Sequence, residues 1–140
     1  MDREQIKQYL PHREPMLLVD EADLNEDGTV TAQYTVRGDE FFLKGHFPDY
    51  PVVPGVILCE IMAQPAFLLM LGETEGKRTL FTGLNNVKFK NQARPGDTLT
   101  TKLELTRVRR PFYFVKGEVR IGDALCMQGE FSVALVSENA

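Results

Sequence analysis

The chain has 140 residues, of which 43% are hydrophobic and 26% are charged, so it can bury a core and is not expected to be disordered as a whole. Sixteen Lys and Arg residues against twenty Asp and Glu residues give a formal net charge of −4, which excludes recruitment of nucleic acid or anionic lipid by overall basic charge. The length predicts one domain over residues 1–140.

Periodicity and turn residues predict the elements of the first third of the chain. Residues 2–10 are expected to form a short helix that ends at Pro11, and residues 16–22 are expected to form a strand. Residues 29–36 alternate strictly between apolar and polar side chains, which predicts a half-buried strand. Residues 38–54 combine glycines and prolines with large apolar side chains, so we expect an ordered loop pinned to the core.

A long buried helix is predicted to begin at Pro54 and to end before Gly72. Thirteen of the seventeen residues 55–71 are apolar, but polar side chains and a proline interrupt the run, which is also short for a membrane span. Pro65 removes a backbone hydrogen bond inside this helix and predicts a kink. A helix that is apolar nearly all round must be covered on nearly all sides.

The remainder of the chain predicts strands alone. Their expected ranges are 79–90, 99–106, 112–121 and 125–135. Two strands, one long helix and four more strands indicate an α+β fold with an antiparallel sheet. One sheet of about six strands hardly encloses such a helix, so the leftover apolar face predicts a homodimer or a higher symmetric assembly.

The polar residues of the helix and the loop before it suggest a catalytic site. His46 lies in that loop and would be a base near neutrality, although a histidine that only bonds the backbone is the alternative. Glu60 and Gln64 stand four apart, on one face of the apolar helix. Because burying a carboxylate there is costly, we expect Glu60 to favour its protonated form and to act as a general acid. A buried Glu–Gln pair that satisfies itself is the alternative.

The helix start would complete the site. Free N–H groups near Gly55 can hold a developing oxyanion, and glycine lets a ligand approach the backbone closely. A base, an acid and an oxyanion donor suit removal of a proton next to a carbonyl with loss of a β-substituent. The sequence has no G-x-S-x-G elbow, phosphate loop or metal-ligand spacing, so we expect neither a metal nor a cofactor. Cys59 and Cys126 are expected to be core residues rather than nucleophiles.

Several motifs closely resemble those of the bacterial (3R)-hydroxyacyl-[acyl-carrier-protein] dehydratases over almost the whole chain. The motifs are Leu10-Pro11-His12-Arg13-Glu14-Pro15-Met16-Leu17-Leu18-Val19-Asp20, Gly45-His46-Phe47-Pro48, Pro54-Gly55-Val56, Glu60 with Met62-Ala63-Gln64, Val87-Lys88-Phe89, Arg94-Pro95-Gly96-Asp97 and Val108-Arg109-Arg110. The resemblance implies a single hot-dog domain, in which a curved antiparallel sheet wraps around one long central helix. It also implies conversion of (3R)-hydroxyacyl thioesters to trans-2-enoyl thioesters in fatty-acid elongation.

The resemblance assigns roles to individual residues. It implies that His46 and Glu60 are catalytic and face each other across a dimer interface, and that the backbone at Gly55 binds the thioester carbonyl. Gln64 would then orient Glu60 or a water. The dehydratase/isomerase branch has Asp at the acid position, so Glu60 favours a dehydratase without isomerase activity.

The resemblance also implies partners and an assembly. The substrate partner is an acyl carrier protein, and the assembly is a homodimer, which in this family can form a trimer of dimers. The cysteine content and the absence of an apolar leader in residues 1–5 indicate a cytoplasmic protein.

Three departures from the family pattern affect the expected substrate, and two rival functions remain alternatives. Asp49-Tyr50 stands where a small Gly-Asn pair is usual, and Pro65 and Pro111 are also unusual, which bears on chain-length preference more than on reaction type. A hot-dog acyl thioesterase is the rival enzyme, and an inactive acyl-binding hot-dog protein is the rival binding module. An inactive copy would be expected to have lost His46 or Glu60, and both are present.

Overall fold

A computed structural model describes residues 1–44 and 49–138 of the chain. Within these residues one six-stranded sheet accompanies a short N-terminal helix and a central helical segment. The elements are α1 (Arg3–Ile6), β1 (Glu21–Leu24), β2 (Val30–Thr35), α2 (Gly55–Ala63), a 3₁₀ segment (Gln64–Met70), β3 (Lys77–Phe89), β4 (Thr98–Arg109), β5 (Phe112–Ile121) and β6 (Ala124–Ser137). This element order confirms the predicted α+β class.

The sheet is antiparallel throughout, with strand order β1-β2-β4-β5-β6-β3. The alternation predicted for residues 29–36 is present, because Val30, Ala32 and Tyr34 are buried while the residues between them are more exposed. The buried side chains of the middle strands share the face that meets the helix; they include Leu99, Leu103, Val115, Val119, Met127 and Phe131. The strand β3 lies at one edge of the sheet.

The central helical segment packs against that inner face. Helix α2 contacts β4 and β5, and the 3₁₀ segment contacts β1, β2 and β4. Close approach to β5 depends on Gly117, because a Cβ there would lie 2.8 Å from Leu103 Cδ2 and 2.9 Å from Met62 Sδ. The arrangement is the one expected of a hot-dog fold, with a helix held inside a wrapped sheet.

The central helical segment is nevertheless not one uniform α-helix. It is α-helical over Gly55–Ala63 and becomes 3₁₀ over Gln64–Met70. Pro65 lies in the first turn of the 3₁₀ segment and has no N–H with which to continue the α-helical bonding. The structure thus shows a change of helix type at Pro65, and the kink of the helix axis stays a prediction.

A second difference concerns residues 16–22, which we expected to form one strand. The strand β1 begins only at Glu21, and residues 16–20 are irregular although Leu17, Leu18 and Val19 are each 1% exposed. Much of this backbone forms hydrogen bonds with side chains rather than with a neighbouring strand. Gln64 forms hydrogen bonds with the backbone of Met16 and Leu18, and Arg3 forms them with the backbone of Leu17 and Val19. The apolar pattern correctly predicted burial but not the absence of ladder pairing.

Both cysteines lie in the core, as expected. Cys59 is 8% exposed and Cys126 is fully buried, and neither forms a disulfide. Burial raises the pKa of each thiol, and the nearby Glu60 carboxyl adds to this effect at Cys59. A raised pKa disfavours the thiolate, so neither group is a good nucleophile. No helix among the described residues is long and apolar enough to cross a membrane.

Candidate active site

Glu60 and Gln64 meet as their spacing predicted. Gln64 Nε2 donates a hydrogen bond of 3.0 Å to Glu60 Oε2, across one helical turn. Gln64 is 5% exposed, whereas Glu60 is only partly buried. The pair lies at the junction of α2 and the 3₁₀ segment, so the change of helix type occurs beside the candidate acid.

Gln64 forms two further hydrogen bonds, both to backbone groups of the N-terminal segment. Its Nε2 also donates to the Met16 carbonyl at 2.7 Å, and its Oε1 accepts from the Leu18 amide at 2.8 Å. Both amide hydrogens are therefore used, one on the backbone and one on Glu60. Gln64 therefore has no N–H left to donate to a water, and one of its two N–H groups contacts the Glu60 carboxyl.

This bonding distinguishes the two oxygens of Glu60. Because Oε2 accepts from Gln64, a proton on the carboxyl belongs on Oε1. A carboxyl held in this way presents one defined O–H to a substrate, and positioned donors of this kind are what general-acid catalysis requires.

A small, mostly apolar cavity of about 50 Å³ adjoins the pair. Its lining comes from the N-terminal segment, the central helical segment and strands β3 and β6: Leu10, His12, Glu60, Ala63, Gln64, Ala66, Phe67, Thr79, Phe81 and Val133. The volume accommodates one or two water molecules, at roughly 30 Å³ each, but not an acyl chain without movement of the lining or a contribution from a second chain.

His12 lines this cavity and was not among the expected site residues. Its Nδ1 is buried and has no hydrogen-bond partner within the described structure. Only its place in the Leu10-Pro11-His12 motif could have indicated it, since nothing in the local pattern distinguishes it from a surface histidine. The structure thus brings one histidine, one carboxyl and one amide to the same cavity.

Gly55 begins α2, and the ring of Phe89 lies directly against it. A Cβ on Gly55 would lie 3.0 Å from Phe89 Cζ, so the close approach requires glycine. Pro54 caps the helix without a side-chain hydrogen bond. The first N–H groups of a helix have no intrahelical acceptor, which is why the start of α2 suits a carbonyl oxygen.

His46 belongs to residues 45–48, which lie outside the described residues. The backbone on either side is well anchored. Before it, the buried Glu40 accepts hydrogen bonds from the Tyr34 hydroxyl at 2.6 Å and from the Gly38 amide at 2.7 Å. After it, the Val53 amide donates to the Ala93 carbonyl at 2.9 Å.

Tyr50, in the unusual Asp49-Tyr50 pair, also follows residues 45–48. Its hydroxyl donates to Gln92 Oε1 at 2.6 Å, and the Arg94 guanidinium lies 4.6 Å from its ring centroid and contacts the hydroxyl. The side chain is 44% exposed and is thus held at the surface beside Arg94.

A larger groove lies on the opposite, outer face of the sheet. It encloses about 470 Å³ and is lined largely by charged side chains of β4, β5 and β6, among them Lys102, Glu104, Lys116, Glu118 and Glu130. Among residues 1–44 and 49–138, neither a histidine nor a carboxyl set in an apolar wall lines this groove. Acid–base chemistry is therefore better supported at the Glu60 cavity. Residues 1–44 and 49–138 also contain no group of His, Cys, Asp or Glu side chains arranged to hold a metal ion.

Comparisons with known proteins agree on the kind of domain. The family model of the FabA-like domain matches residues 10–130. A protein of Natranaerobius thermophilus named 3-hydroxyacyl-[acyl-carrier-protein] dehydratase FabZ is 44% identical over 140 residues, which cover 98% of this chain and 99% of that protein. The protein of the same name in Macrococcus caseolyticus is 41% identical, over 96% of this chain and 95% of that protein.

Solved structures share the fold at lower identity. The dehydratase heterocomplex ApeI:P of Xenorhabdus doucetiae superposes with a TM-score of 0.81 at 22% identity, covering 96% of this chain and 92% of that chain. The fluoroacetyl-CoA thioesterase FlK has a TM-score of 0.68 at 17% identity, covering 79% of this chain and 87% of that chain. Because one fold hosts both chemistries, the choice between them depends on the site.

Proposed function

Because this chain belongs to the family of FabA-like domains, we propose that it removes water from (3R)-hydroxyacyl thioesters on acyl carrier protein and releases trans-2-enoyl thioesters. The dehydratase reaction belongs to fatty-acid biosynthesis. The main support for placing the reaction at this site is the 3.0 Å hydrogen bond from Gln64 to Glu60, which lies beside the apolar cavity. A thioesterase would instead need a carboxylate that activates water.

In the proposed mechanism His46 is the base and Glu60 is the acid. Neutral His46 removes a proton from C2, and the electrons move into the thioester carbonyl, whose oxygen receives a hydrogen bond from the Gly55 amide. The C3–O bond then breaks as Glu60 Oε1 donates its proton to the leaving hydroxyl, which departs as water. The sum is loss of one water and formation of a C2–C3 double bond, which requires no redox partner.

Gln64 contributes by holding the acid in position. Its bonds to Met16 and Leu18 fix the amide, and the amide fixes Glu60 Oε2. The free oxygen, Oε1, keeps a constant direction through the reaction. Restricting a reacting group in this way lowers the entropy cost of reaching the transition state.

A second copy of the chain is proposed to complete the site. The edge strand β3 exposes Leu80, Phe81, Leu84 and Phe89, each between 43% and 52% exposed, and Val56 at the start of α2 is 77% exposed. An unpaired apolar edge of this length is a surface that another strand covers. The edge lies next to both Gly55 and the Glu60 cavity, since Phe89 contacts the first and Phe81 lines the second.

The acyl carrier protein is proposed to dock beside the start of α2. Lys88 and Lys90 flank Phe89 on the chain, and Arg94 follows Lys90 by four residues. All three are exposed, and none has a carboxylate partner within the described part of the chain. Other basic residues are less suitable, because Arg110 is paired with Glu73 and Arg120 with Glu118.

A cytoplasmic location is also proposed. Both cysteines are unpaired and buried, as is usual for proteins of reducing compartments. The location agrees with a substrate carried by a protein of the same compartment.

Parallel assays of two products test the proposed function. The purified protein is incubated with a 3-hydroxyacyl-[acyl-carrier-protein], and enoyl absorbance and free thiol are followed together. We expect enoyl formation without thiol release. Thiol release without enoyl formation would identify a thioesterase, and neither signal with well-folded protein would indicate a binding module; both outcomes contradict the proposal.

A further inference from the structure

The irregular segment Met16–Asp20 runs through the core without forming a strand. Leu17, Leu18 and Val19 are each 1% exposed, so the polar groups of this backbone cannot rely on water. Buried backbone groups in native proteins almost always have partners. Here the Arg13 carbonyl accepts from the Leu17 amide, and two side chains from different elements supply several of the other partners.

Gln64 bonds the segment from the side of the central helix. It donates to the Met16 carbonyl at 2.7 Å and accepts from the Leu18 amide at 2.8 Å. Gln64 donates the other hydrogen of its Nε2 to Glu60 Oε2. The position of the proposed acid is therefore tied to the position of this backbone.

Arg3 of helix α1 bonds the same segment. Its Nη2 donates to the Leu17 carbonyl at 2.8 Å, and its Nη1 donates to the Val19 carbonyl at 3.2 Å. These two carbonyls flank Leu18, whose amide donates to Gln64. The guanidinium and the Gln64 amide thus hold adjacent backbone groups.

Two carboxylates fix the guanidinium in turn. Glu14 Oε2 accepts from Arg3 Nε at 2.9 Å, and Asp20 Oδ1 accepts from Nη1 at 2.8 Å. The other oxygen of Asp20 accepts from the Thr35 amide at 2.8 Å, which connects the arrangement to β2. Arg3 lowers the pKa of Glu14 to about 2, and Lys7 contributes, so the pair stays charged at any practical assay pH.

We propose that Arg3 is a positioning residue for the dehydration: it fixes the backbone of Leu17–Val19, which fixes Gln64, which directs Glu60. The inference rests on the proposed function of Glu60. Arg3 forms no hydrogen bond to Glu60 or Gln64 among the described residues, so its effect on Gln64 passes through this backbone. Lysine cannot replace it fully, because one ammonium lacks the planar fork that reaches two carbonyls and two carboxylates at once.

The test is a double-substitution cycle on kcat. Arg3→Met, Gln64→Ala and the double variant are assayed with saturating substrate, together with Arg3→Lys. We expect Arg3→Met to lower kcat by about 3- to 10-fold with little change in KM. The kcat of Arg3→Lys should lie between those of Arg3→Met and the wild type. If Arg3 acts through Gln64, the double variant is no slower than Gln64→Ala alone.

Lys7→Met is the matched control. Lys7 lies on the same turn and pairs with the same Glu14, at 3.2 Å, but it does not bond the Leu17 or Val19 carbonyls. We expect its kcat to equal that of the wild type. Melting temperatures of all variants identify any loss of fold; if Arg3→Met does not fold, Arg3→Lys with Gln64→Ala completes the cycle.

Three results would overturn the inference. One is an Arg3→Met kcat equal to that of the control, and another is an effect carried by KM alone. The third is a double variant whose loss equals the product of the two single losses, since that would make Arg3 independent of Gln64. Glu60→Gln in the same assay separates this from the proposed function: if that variant keeps full activity, the acid assignment itself is wrong.

Discussion

Glu60 Oε2 accepts its hydrogen bond from Gln64, and the Gln64 amide is otherwise occupied by backbone. Each of these bonds restricts where the Glu60 carboxyl can lie. The site thus depends on a small number of individual atoms, and changes at single residues give the sharpest tests.

Glu40 provides a pH-dependent test at this scale. Burial alone would raise its pKa, but hydrogen bonds from the Tyr34 hydroxyl and from the Arg37 and Gly38 amides outweigh burial, and the pKa lies below the usual 4.5. A lowered acid pKa adds stability that is fully present above the unfolded-state value and is lost as pH falls through the folded-state value.

Glu40→Gln should therefore destabilise the fold by about 1–3 kcal/mol at pH 7, because an amide cannot accept all three bonds. The difference from wild type should shrink as pH falls below about 4.5, because the carboxyl of the unfolded wild-type chain then takes up a proton and the folded carboxyl follows at lower pH. Urea unfolding between pH 3 and 8 measures both effects. Asp39→Asn is the control, since its carboxylate is 83% exposed and should matter little at any pH. A constant difference across the pH range would refute the assigned role of the Glu40 charge.

At the residue scale the sequence predicted the Glu60–Gln64 pair but not its surroundings. Spacing of four on an apolar helix is enough to predict that two side chains meet. Arg3 and His12 could not be found in this way, because the partners of Arg3 are 11 or more positions away along the chain and His12 belongs to a cavity that only the fold creates.

Among the elements, α2 and β5 pack most closely where Gly117 leaves room for Met62. Leu103 and Met62 are both fully buried, so neither can move aside easily. Met62 lies between Glu60 and Gln64 on the chain, and a shift of the helix would therefore move the candidate acid.

Gly117→Ala should destabilise the protein by about 1–3 kcal/mol through overpacking and should also lower kcat. Gly83→Ala is the matched control, because the added Cβ would meet only the Ser132 hydroxyl, at 3.1 Å, and this hydroxyl can rotate away. Urea unfolding and steady-state rates of both variants provide the comparison. Equal stability of Gly117→Ala and wild type would contradict the close packing of α2 on β5.

The existence and order of the elements followed from periodicity, and their details did not. Residues 112–121 were predicted with the correct limits, since a strand with alternating burial and turn residues at each end is determined locally. The late start of β1 depends on Arg3 and Gln64, whose side chains hydrogen-bond to the backbone of residues 16–19, whereas the change to 3₁₀ geometry after Ala63 coincides with Pro65. Such tertiary contacts do not appear in a local pattern.

Charge is distributed unevenly along the whole chain, and this distribution affects how an acyl carrier protein would bind. Residues 1–70 hold five basic and twelve acidic side chains, for a net −7, whereas residues 71–140 hold eleven basic and eight acidic ones, for a net +3. Acyl carrier proteins are acidic, so the basic residues near the start of α2 are expected to attract them.

Lys88→Ala should raise KM for a carrier-bound substrate several-fold, and added salt should raise the wild-type KM in the same direction. A substrate on a small thiol should respond to neither change. Lys116→Ala is the control, because Lys116 lies on the outer face of the sheet between the paired positions of Glu104 and Glu130. Equal effects of the two substitutions, or equal salt responses of the two substrates, would exclude docking at Lys88.

We propose that His46 of one chain and Glu60 of another form one dehydration site. Activity of refolded mixed dimers tests it most directly. His46→Ala and Glu60→Ala proteins are each expected to be inactive; unfolded together in equal amounts and refolded, about half of the dimers contain one chain of each kind. Each such dimer has one intact site, so the mixture should recover about a quarter of wild-type activity if the sites act independently. A mixture that is shown to contain mixed dimers and remains inactive would contradict the claim.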